Sequence, residues 1–599
     1  MKKHIYILSI FIFSLVACDD QQKSDTNETV TETQNFAEFL ESYYQKGLEL
    51  DPLQATSAGD NRYNDQFPDF LSDEHQEKVK KHYRTFKDAL KNYADTNLTE
   101  SEQLSKAILN WDCDMKLRQL SFKNDVLFPV NQMWTLNLSV GQLASGAGAQ
   151  PFKTVEDYNN WLKRLEGYNT WLKTAKERMQ EGINEKYVLP KSLIQKVIPQ
   201  FEVLASADVE NHLFYSPIKN FPKDFSDESK KELTTAYSTF LNEKLIPSFN
   251  EMYQFLKTDY LTAGRESSGI SETPYGEAYY NHSIKNYTTT NMTAGEIHEL
   301  GLKEVARILG EMEKVKTQVG FKGDIKSFFN FVRSNKELMP YTDAQQIIDN
   351  FNAIHDKMKP QIAKLFDLKP KTPFEVRRTE AFREASASAE YNQGSLDGTR
   401  PGIFYTPIPD AKTYNVFSDE ALFLHEAIPG HHYQISLTQE NDDLPAFRKT
   451  LWYSAYGEGW ALYTESLGKE LGLYTDPYQY FGMLGMEMHR AIRLVVDTGL
   501  HAKGWTREKA IQYSLDNEAE SEASIISEIE RYMANPGQAL SYKIGQLKIR
   551  ELRAKAEDTL GDKFDIREFH NQVLSTGCIP LQLLEDKINV WIQEKSNNQ

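Results

Sequence analysis

Apolar residues recur at steps of three and four along most of this sequence. Near its start, Phe36, Phe39, Leu40, Tyr43 and Leu48 follow this spacing. Such steps place side chains on one face of a helix, and a face of this kind is a candidate core surface. Similar stripes lie in residues 103–117, 158–179, 192–204 and 229–256. The pattern predicts a mainly α fold with many helices and little sheet.

Residues 378–409 depart from the helical pattern. Ala385, Ala387 and Ala389 alternate with serines at the positions between them, which is the period of a strand. Glycines and prolines then punctuate the chain as far as Pro409. We expect a small sheet here, with an edge that can hold an extended peptide.

The length of the chain limits its domain organisation. At 599 residues it exceeds the size at which one core stops growing, so one very large domain or two intimately packed domains are expected. A stretch rich in Gly, Ser and Thr at residues 262–274 marks a boundary. The sequence therefore predicts an N-terminal helical region at 36–265 and a C-terminal region at 266–599. Thr293 and Glu296 form a capping-box pattern that begins a long helix in the second region.

Charge and cysteine content exclude several classes of protein. The formal net charge is -18, whereas a nucleic-acid partner requires a basic surface, so no nucleic acid is expected to bind. The three cysteines are Cys18, Cys113 and Cys578, and the two internal ones allow at most one disulfide. A cysteine-rich zinc site is excluded as well. Any metal must therefore be held mainly by histidines and carboxylates.

The N-terminus carries a targeting signal. Two lysines precede an apolar run at residues 5–16 that is too short to span a bilayer. The run leads into Leu-Val-Ala-Cys, which ends at Cys18 and resembles the lipobox of bacterial lipoproteins, whose cysteine receives the lipid. We expect a lipoprotein signal peptide at 1–18 and a polar, flexible tether at 19–35. The alternative is an ordinary cleaved signal peptide with an incidental cysteine.

A lipoprotein signal peptide predicts that the protein is located in the bacterial cell envelope. The lipid on Cys18 would be its only attachment to the membrane, and the folded part would face the periplasm.

Residues 418–432 concentrate the chemistry of the chain. Three of its 13 histidines lie here, at His425, His431 and His432, and Glu426 follows the first. A zinc protease requires two imidazoles and a carboxylate as ligands, and a second carboxylate that takes a proton from the attacking water. In the common H-E-x-x-H form, the Glu beside the first His is that general base. The grouping predicts a metal site with Glu426 as base, and the alternative is a set of capping or core histidines beside a helix kink.

The second histidine ligand is ambiguous because Pro429 stands four residues after His425. Proline cannot continue a regular helix, and Gly430 allows an unusual turn. Either the Pro-Gly pair bulges outward and His431 reaches the metal, or the helix barely deviates and His432 does. Deleting the Pro-Gly pair restores H-E-x-x-H, which favours His431.

A third ligand is predicted at Glu458. It lies between Gly457 and Gly459, which permit close approach of a helix to the metal-binding helix. Glu465 follows seven residues later on nearly the same helical face, where it can orient a ligand imidazole by a hydrogen bond. The alternative is that both glutamates are solvated helix residues.

These segments resemble a known family. Residues 425–432 and 457–463 are similar to the motifs of the bacterial "domain of unknown function 885" family. The resemblance extends to residues 394–402, 490–499, 531–532, 536–545 and 569–570. That family is grouped with the gluzincin-type zincin metallopeptidases. The resemblance implies a zincin-like metallopeptidase in region 266–599 with one zinc ion. It does not choose between His431 and His432, because the family motif contains both.

Two further roles complete the predicted site. Tyr542 is a candidate hydrogen-bond donor to the developing oxyanion, and the alternative is a core tyrosine. A substrate carboxylate would need a cation, and Arg490 and Arg493 are the candidates, with Arg531 and Lys543 also near in sequence. The alternative for each is a salt bridge between helices.

Together these features predict zinc-dependent hydrolysis of peptide bonds by an envelope lipoprotein, with an oligopeptide as partner. Two other classes compete. One is a non-catalytic peptide-binding lipoprotein, and the other is a zinc amidase that acts on cell-wall or small-molecule amides.

Overall fold

The computed structural model describes residues 35–133, 136–146, 148–380, 384, 387–395 and 400–597. The predicted signal peptide at 1–18, including Cys18, and the tether up to residue 34 lie outside the described residues. The described part of the chain is mainly helical, as predicted, with 26 α-helices and three short strands.

The first twelve helices span residues 36–263. They are α1 Phe36–Leu50, α2 Pro52–Ser57, α3 Asp73–Ala89, α4 Glu100–Gln119, α5 Asn124–Leu127, α6 Leu136–Ala144, α7 Val155–Glu185, α8 Lys191–Ser206, α9 Ser216–Lys219, α10 Asp227–Phe240, α11 Ile246–Phe255 and α12 Leu261–Ala263. Two π-helical segments, Leu241–Leu245 and Leu256–Tyr260, join the last three into one rod.

The remaining fourteen helices span residues 276–597. They are α13 Gly276–Thr288, α14 Ala294–Gln318, α15 Ile325–Ser334, α16 Ala344–Ile362, α17 Asp419–Glu426, α18 His431–Glu440, α19 Ala446–Thr450, α20 Ser454–Glu465, α21 Pro477–Ala502, α22 Arg507–Asn517, α23 Glu522–Ala534, α24 Ser541–Leu560, α25 Ile566–Leu574 and α26 Leu581–Asn597. Helix α14 begins with the predicted capping box, since the Thr293 and Glu296 side chains each accept a backbone N–H of the other residue.

The buried side chains form two apolar clusters. The smaller one is built by α7, α8 and the rod of α10 to α12. The larger one holds most of the chain after residue 270, and it also includes buried residues of α1, α3 and α4, such as Phe39, Phe86 and Ile108. The first helices therefore pack into the same core as the C-terminal part of the chain. The domain boundary near residue 265 stays a prediction.

A three-stranded sheet lies between α16 and α17 in sequence. Its strands are β1 Phe374–Arg378, β2 Glu390–Asn392 and β3 Gly402–Thr406. Strand β3 is central, parallel to β1 and antiparallel to β2, so β2 is an edge strand.

The sheet is where we expected it, but the strand assignment was wrong. Residues 385 and 386 lie outside the described residues, and residues 387–389 have no strand structure, so β2 begins only at Glu390. Alanine and serine fit a pleated surface poorly, whereas Tyr391 pairs opposite Phe404. The large side chains, and not the alternation of small ones, define the strand.

None of the described helices combines the length and the apolar character that a bilayer span needs. Cys113 and Cys578 are both buried free thiols, so they do not form a disulfide.

Candidate metal centre

The predicted break in the metal-binding helix divides it into α17 and α18. His425 and Glu426 end α17, and His431 begins α18. The Ile428–Pro429 peptide between them is cis. At Gly430, a Cβ atom would lie only 1.9 Å from the carbonyl oxygen of His425, so no side chain fits in this turn. Glycine at this position lets the two helix ends come together.

Three of the predicted ligands meet at this junction. His425, His431 and Glu458 each offer one ligand atom, and these three atoms all lie within 4.8 Å of one another. Oε2 of Glu458 lies 3.6 Å from Nε2 of His425 and 3.4 Å from Nε2 of His431. A tetrahedral zinc ion with bonds of about 2.1 Å separates its ligand atoms by about 3.4 Å. The two distances from Glu458 are therefore close to those between the ligand atoms of a zinc ion.

His432 lies apart from this cluster. Its Nδ1 is 3.0 Å from the Tyr391 hydroxyl and 3.4 Å from Oγ of Ser436, and its ring packs against Phe374. Burial lowers the pKa of His432 to about 4, so the ring is neutral at physiological pH. The structure thus brings His431 to the other ligands and places His432 against the sheet.

Glu465 orients the first histidine. Its side chain is 1% exposed, and its Oε1 accepts a hydrogen bond from Nδ1 of His425 at 2.7 Å. When the ring is neutral and Nδ1 carries its hydrogen, the lone pair of His425 is on Nε2, which faces Glu458. A hydrogen bond from Thr464 to the Leu424 carbonyl, at 2.9 Å, holds α20 against α17.

The glycines beside Glu458 do not pack where we expected. A Cβ atom on Gly459 would lie 2.5 Å from backbone atoms of Gly545 in α24, and one on Gly457 would meet the Trp452 ring. They allow α20 to approach α24 and Trp452, and not the metal-binding helix. Glu458 can face the histidines because the opposite side of α20 is pressed against α24.

Proton affinities in the cluster are strongly coupled. Burial disfavours the charged ring of His425, but the carboxylates of Glu458 and Glu465 outweigh burial and raise its pKa to about 9. Burial alone would raise the pKa of Glu458, but the two histidines outweigh it and hold this pKa below the usual range of a glutamate. The site thus stabilises positive charge, which is a property that a cation site needs.

Glu426 lies beside the cluster and is not one of its three donors. Burial raises the pKa of its carboxyl group, against the opposing charges of the two histidines. A carboxylate whose proton affinity is raised in this way is suited to accept a proton.

A cavity of about 510 Å³ opens onto the cluster. Residues 388–391, which lead into β2, form one side, and Trp452 forms another. Four of the five remaining candidate residues line another, polar part of the cavity, the arginine wall: Arg490, Arg493, Arg531 and Tyr542. The structure therefore brings the predicted catalytic, ligand and substrate-binding residues to one cavity.

Lys543 does not belong to this wall. Its side chain is 0% exposed, and its Nζ pairs with Glu487 at 2.7 Å and with Glu304 at 2.9 Å. The charge of Lys543 is paired with these two glutamates between the helices and is not accessible from the cavity. The suggestion that Lys543 could bind a substrate carboxylate was therefore wrong.

Several cavity residues were missed by the sequence analysis. Trp452 and Tyr391 come from a loop and an edge strand, and no spacing rule connects them to the histidines. Glu528 and His489 line the arginine wall. The His-Arg doublet at 489–490 was a local signal for His489, whereas nothing near Glu528 in sequence distinguishes it from other helical acids.

The fold and site define a mainly helical protein with a buried His–His–Glu cluster that opens onto a polar cavity. The profile of the family described as bacterial proteins of unknown function, DUF885, matches residues 52–588, and the chain belongs to this family.

Among the solved structures that resemble the chain, two are each described as a "putative lipoprotein". One, from Colwellia psychrerythraea, is 28% identical with a TM-score of 0.86, and the match covers 94% of this chain and 100% of the other. The second, of unknown function and from Shewanella oneidensis, is 19% identical with a TM-score of 0.73, and it covers 92% of this chain and 99% of the other. At that identity it shows a shared fold alone. No curated protein matches the chain.

Proposed function

We propose that this protein is a zinc-dependent peptidase of the gluzincin type. The observation that carries the proposal is the spacing of the donors: Nε2 of His431 and Nε2 of His425 lie 3.4 and 3.6 Å from one Glu458 oxygen. A second acidic residue, Glu426, lies beside them and is not a donor. Two histidines and one glutamate, with one side open to a cavity, are the ligand set of many catalytic zinc sites. Structural zinc sites are closed by four protein ligands.

His425, His431 and Glu458 would hold the ion. Bound there, zinc supplies a Lewis acid for a carbonyl group and a water molecule of lowered pKa. The chain supports this by fixing the His425 tautomer through Glu465 and by burying the two histidines.

Glu426 is the general base in this proposal. It takes a proton from the attacking water and delivers it to the leaving amine, so that the peptide bond is exchanged for a carboxylic acid and an amine. Its burial and its raised pKa suit both steps.

Tyr542 is placed to assist as a hydrogen-bond donor. Its hydroxyl oxygen accepts from Nη2 of Arg531 at 3.3 Å, which leaves the hydroxyl hydrogen able to point into the cavity. A donor there can stabilise the oxyanion of the tetrahedral intermediate.

The edge strand favours a peptide over a small amide as substrate. Residues 388–391 line the cavity next to the ligands, and β2 is the edge of its sheet. An extended peptide can add to such an edge through main-chain hydrogen bonds. A small-molecule amide makes no use of a strand edge.

The N-terminus supports a lipid-anchored location. The Leu-Val-Ala-Cys run ending at Cys18 agrees with the description of the similar structure from Colwellia psychrerythraea as a "putative lipoprotein". The peptidase would then act in the envelope, close to the membrane surface.

The test is digestion of an unmodified peptide library, followed by mass spectrometry. We expect the zinc-loaded protein to release new termini, and we expect Glu426→Gln to reduce the rate at least 100-fold, the lower range for loss of general-base catalysis. Glu232→Gln, a matched change at an exposed position of α10, should leave the rate unchanged.

The competing classes predict different results. Cleavage of muropeptides without cleavage of the library would indicate an amidase. Equal behaviour of Glu426→Gln and the wild type, with peptide bound but intact, would indicate a binding protein and would refute the proposal.

A further inference from the structure

The arginine wall of the cavity indicates which end of a substrate the protein binds. This inference rests on the proposed peptidase function. Arg490 and Arg493 lie one turn apart on α21, and Arg531 approaches them from α23. All three guanidinium groups border the same cavity as the His–His–Glu cluster. Their donors are therefore within reach of a molecule that lies against the proposed zinc site.

Arg493 is only partly satisfied by protein groups. Its side chain is 6% exposed, its Nη2 pairs with Glu528 at 2.8 Å, and its Nε donates to the Tyr532 hydroxyl at 3.1 Å. Its Nη1 is buried and has no hydrogen-bond partner among the described residues. A buried guanidinium donor without an acceptor is costly, so a bound acceptor would be favoured at this position.

Arg490 has still fewer partners. Its Nη1 donates to the Met486 carbonyl at 3.3 Å, and among the described residues it forms no ion pair. Its Nε is also buried without a hydrogen-bond partner. Arg490 and the proposed base, Glu426, line the same cavity.

Among the described residues, the acidic groups of the wall form no ion pair with Arg490. Glu528 is shared, since it pairs with Arg493, with Arg531 at 3.3 Å and with His489 at 3.4 Å. Glu518 is bound to His489 at 2.6 Å, and Glu520 is the third acid. Burial opposes the charged form of His489, but the charge of Glu518 outweighs it and raises the pKa of that ring. The charge of Arg490 thus has no ion-pair partner at this wall among the described residues, whereas Glu528 pairs with Arg493 and Arg531.

We propose that Arg490 and Arg493 bind the C-terminal carboxylate of the substrate, so that the enzyme removes short fragments from the C-terminal end of peptides. Arginine suits this role because its fork of N–H groups matches the two carboxylate oxygens. The cavity of about 510 Å³ has the size of a small-ligand pocket, so a carboxylate at this wall lies only a short peptide length from the ligands. Water then breaks the peptide bond upstream of the bound carboxylate, and the leaving amine takes the proton.

The experiment uses the zinc-loaded full chain and three peptides of otherwise identical sequence. One ends in Gln with a free carboxylate, the second ends in Gln amide, and the third ends in Glu amide. We expect short C-terminal products from the free acid, and kcat/KM values about 10- to 100-fold lower for the Gln amide, as for loss of a charged hydrogen bond. The Glu amide has a carboxylate only on its side chain, so it distinguishes recognition of a terminal carboxylate from recognition of any carboxylate at the last residue.

Arg490→Gln should lower kcat/KM about 10- to 100-fold for the free acid, mainly through KM, and should leave the Gln amide unchanged. Arg84→Gln, at an exposed position of α3, is the matched control and should change neither substrate. Thermal unfolding of each variant checks that the fold is retained.

Three outcomes would overturn the inference: equal cleavage of acid and Gln amide, equal slowing of both by Arg490→Gln, or a Glu amide cleaved as fast as the free acid. Calorimetric binding to the Glu426→Gln protein gives an independent measurement. If the wild type cleaves no peptide, the proposed function fails, and the carboxylate subsite is still supported by tighter binding of the free acid and refuted by equal binding.

Discussion

The two adjacent histidines, His431 and His432, have different surroundings although they are neighbours in sequence. Nε2 of His431 lies 3.4 Å from Glu458, whereas Nδ1 of His432 lies 3.0 Å from Tyr391 and belongs to the contact between α18 and the sheet. The helix begins at His431, so consecutive side chains leave it in directions about 100° apart. One can face the cluster only if the other faces away.

This contrast gives a prediction about metal content. His431→Ala should weaken zinc binding by more than 100-fold, which exceeds the 10- to 100-fold loss typical of removing an outer hydrogen bond to a ligand. His432→Ala should retain about one zinc per chain, because it removes only a packed, neutral ring. Elemental analysis after dialysis against a weak chelator measures both. Loss of zinc in His432→Ala together with retention in His431→Ala would contradict the assignment of the ligand.

At the residue scale, the sequence predicted the groups that lie close together along the chain. His425, Glu426 and the Pro-Gly break are local, and so their chemistry can be recognised from spacing. Arg490 and Lys543 could not be distinguished in this way, because their roles depend on partners that come from other helices. Burial beside Glu304 and Glu487 decides the role of Lys543, and neither glutamate is near it in sequence.

At the scale of elements, a buried ion network ties three helices together. Lys543 of α24 bridges Glu304 of α14 and Glu487 of α21, and Arg307 of α14 pairs with Glu487 at 2.7 Å. Burial opposes ionisation of Glu304, but Arg307 and Lys543 outweigh it and lower the pKa of this carboxyl to about 2. The network therefore consists of charged groups at neutral pH and fixes how α21, with its arginine wall, sits against α24.

Removing the central cation should be costly. We expect Lys543→Met to lower the free energy of unfolding by about 3–5 kcal/mol, because it leaves two buried carboxylates with incomplete compensation. Lys548→Met is a matched change on the same helix, where the lysine pairs with Glu551 at 2.9 Å near the surface, and should cost less than about 1 kcal/mol. Urea unfolding measures both. Similar losses in the two variants would show that the network does not stabilise the fold.

Elements with strong local signals were predicted well, and those that depend on pairing were not. The capping box at Thr293 fixes the start of α14 through contacts within three residues. Strand β2 instead exists because Tyr391 and its neighbours pair with β3, about 12 residues away. The alternation of Ala and Ser contains no information about the strand with which a segment pairs. The expected strand was therefore misplaced.

At the scale of the whole molecule, the proposed lipid-attachment site, Cys18, precedes the first helix in sequence. The described chain begins at Asn35, and α1 starts at the next residue with the Asn35 side chain as its cap. The sequence predicts a polar, flexible tether between Cys18 and α1, so we expect a change at Cys18 to leave the fold intact.

We expect Cys18→Ala to release the protein from membranes without altering its zinc content or its thermal unfolding. Cys113→Ala, which changes a buried thiol of α4, should remain in the membrane fraction. Fractionation of cells labelled with a radioactive fatty acid measures both attachment and lipidation. Membrane retention of an unlabelled Cys18→Ala protein would exclude a lipid anchor at this cysteine.

The first helices also bear on how the protein can be divided. The ring of Tyr43 in α1 packs on Phe447, and the ring of Trp111 in α4 packs on Tyr453, on either side of the cavity residue Trp452. A fragment that starts at residue 266 would lack Tyr43 and Trp111, and the rings of Phe447 and Tyr453 would then face water. Helices α1 and α4 thus support the segment around Trp452, which lines the cavity. N-terminal truncations of the recombinant protein should remove no residue from Phe36 onward.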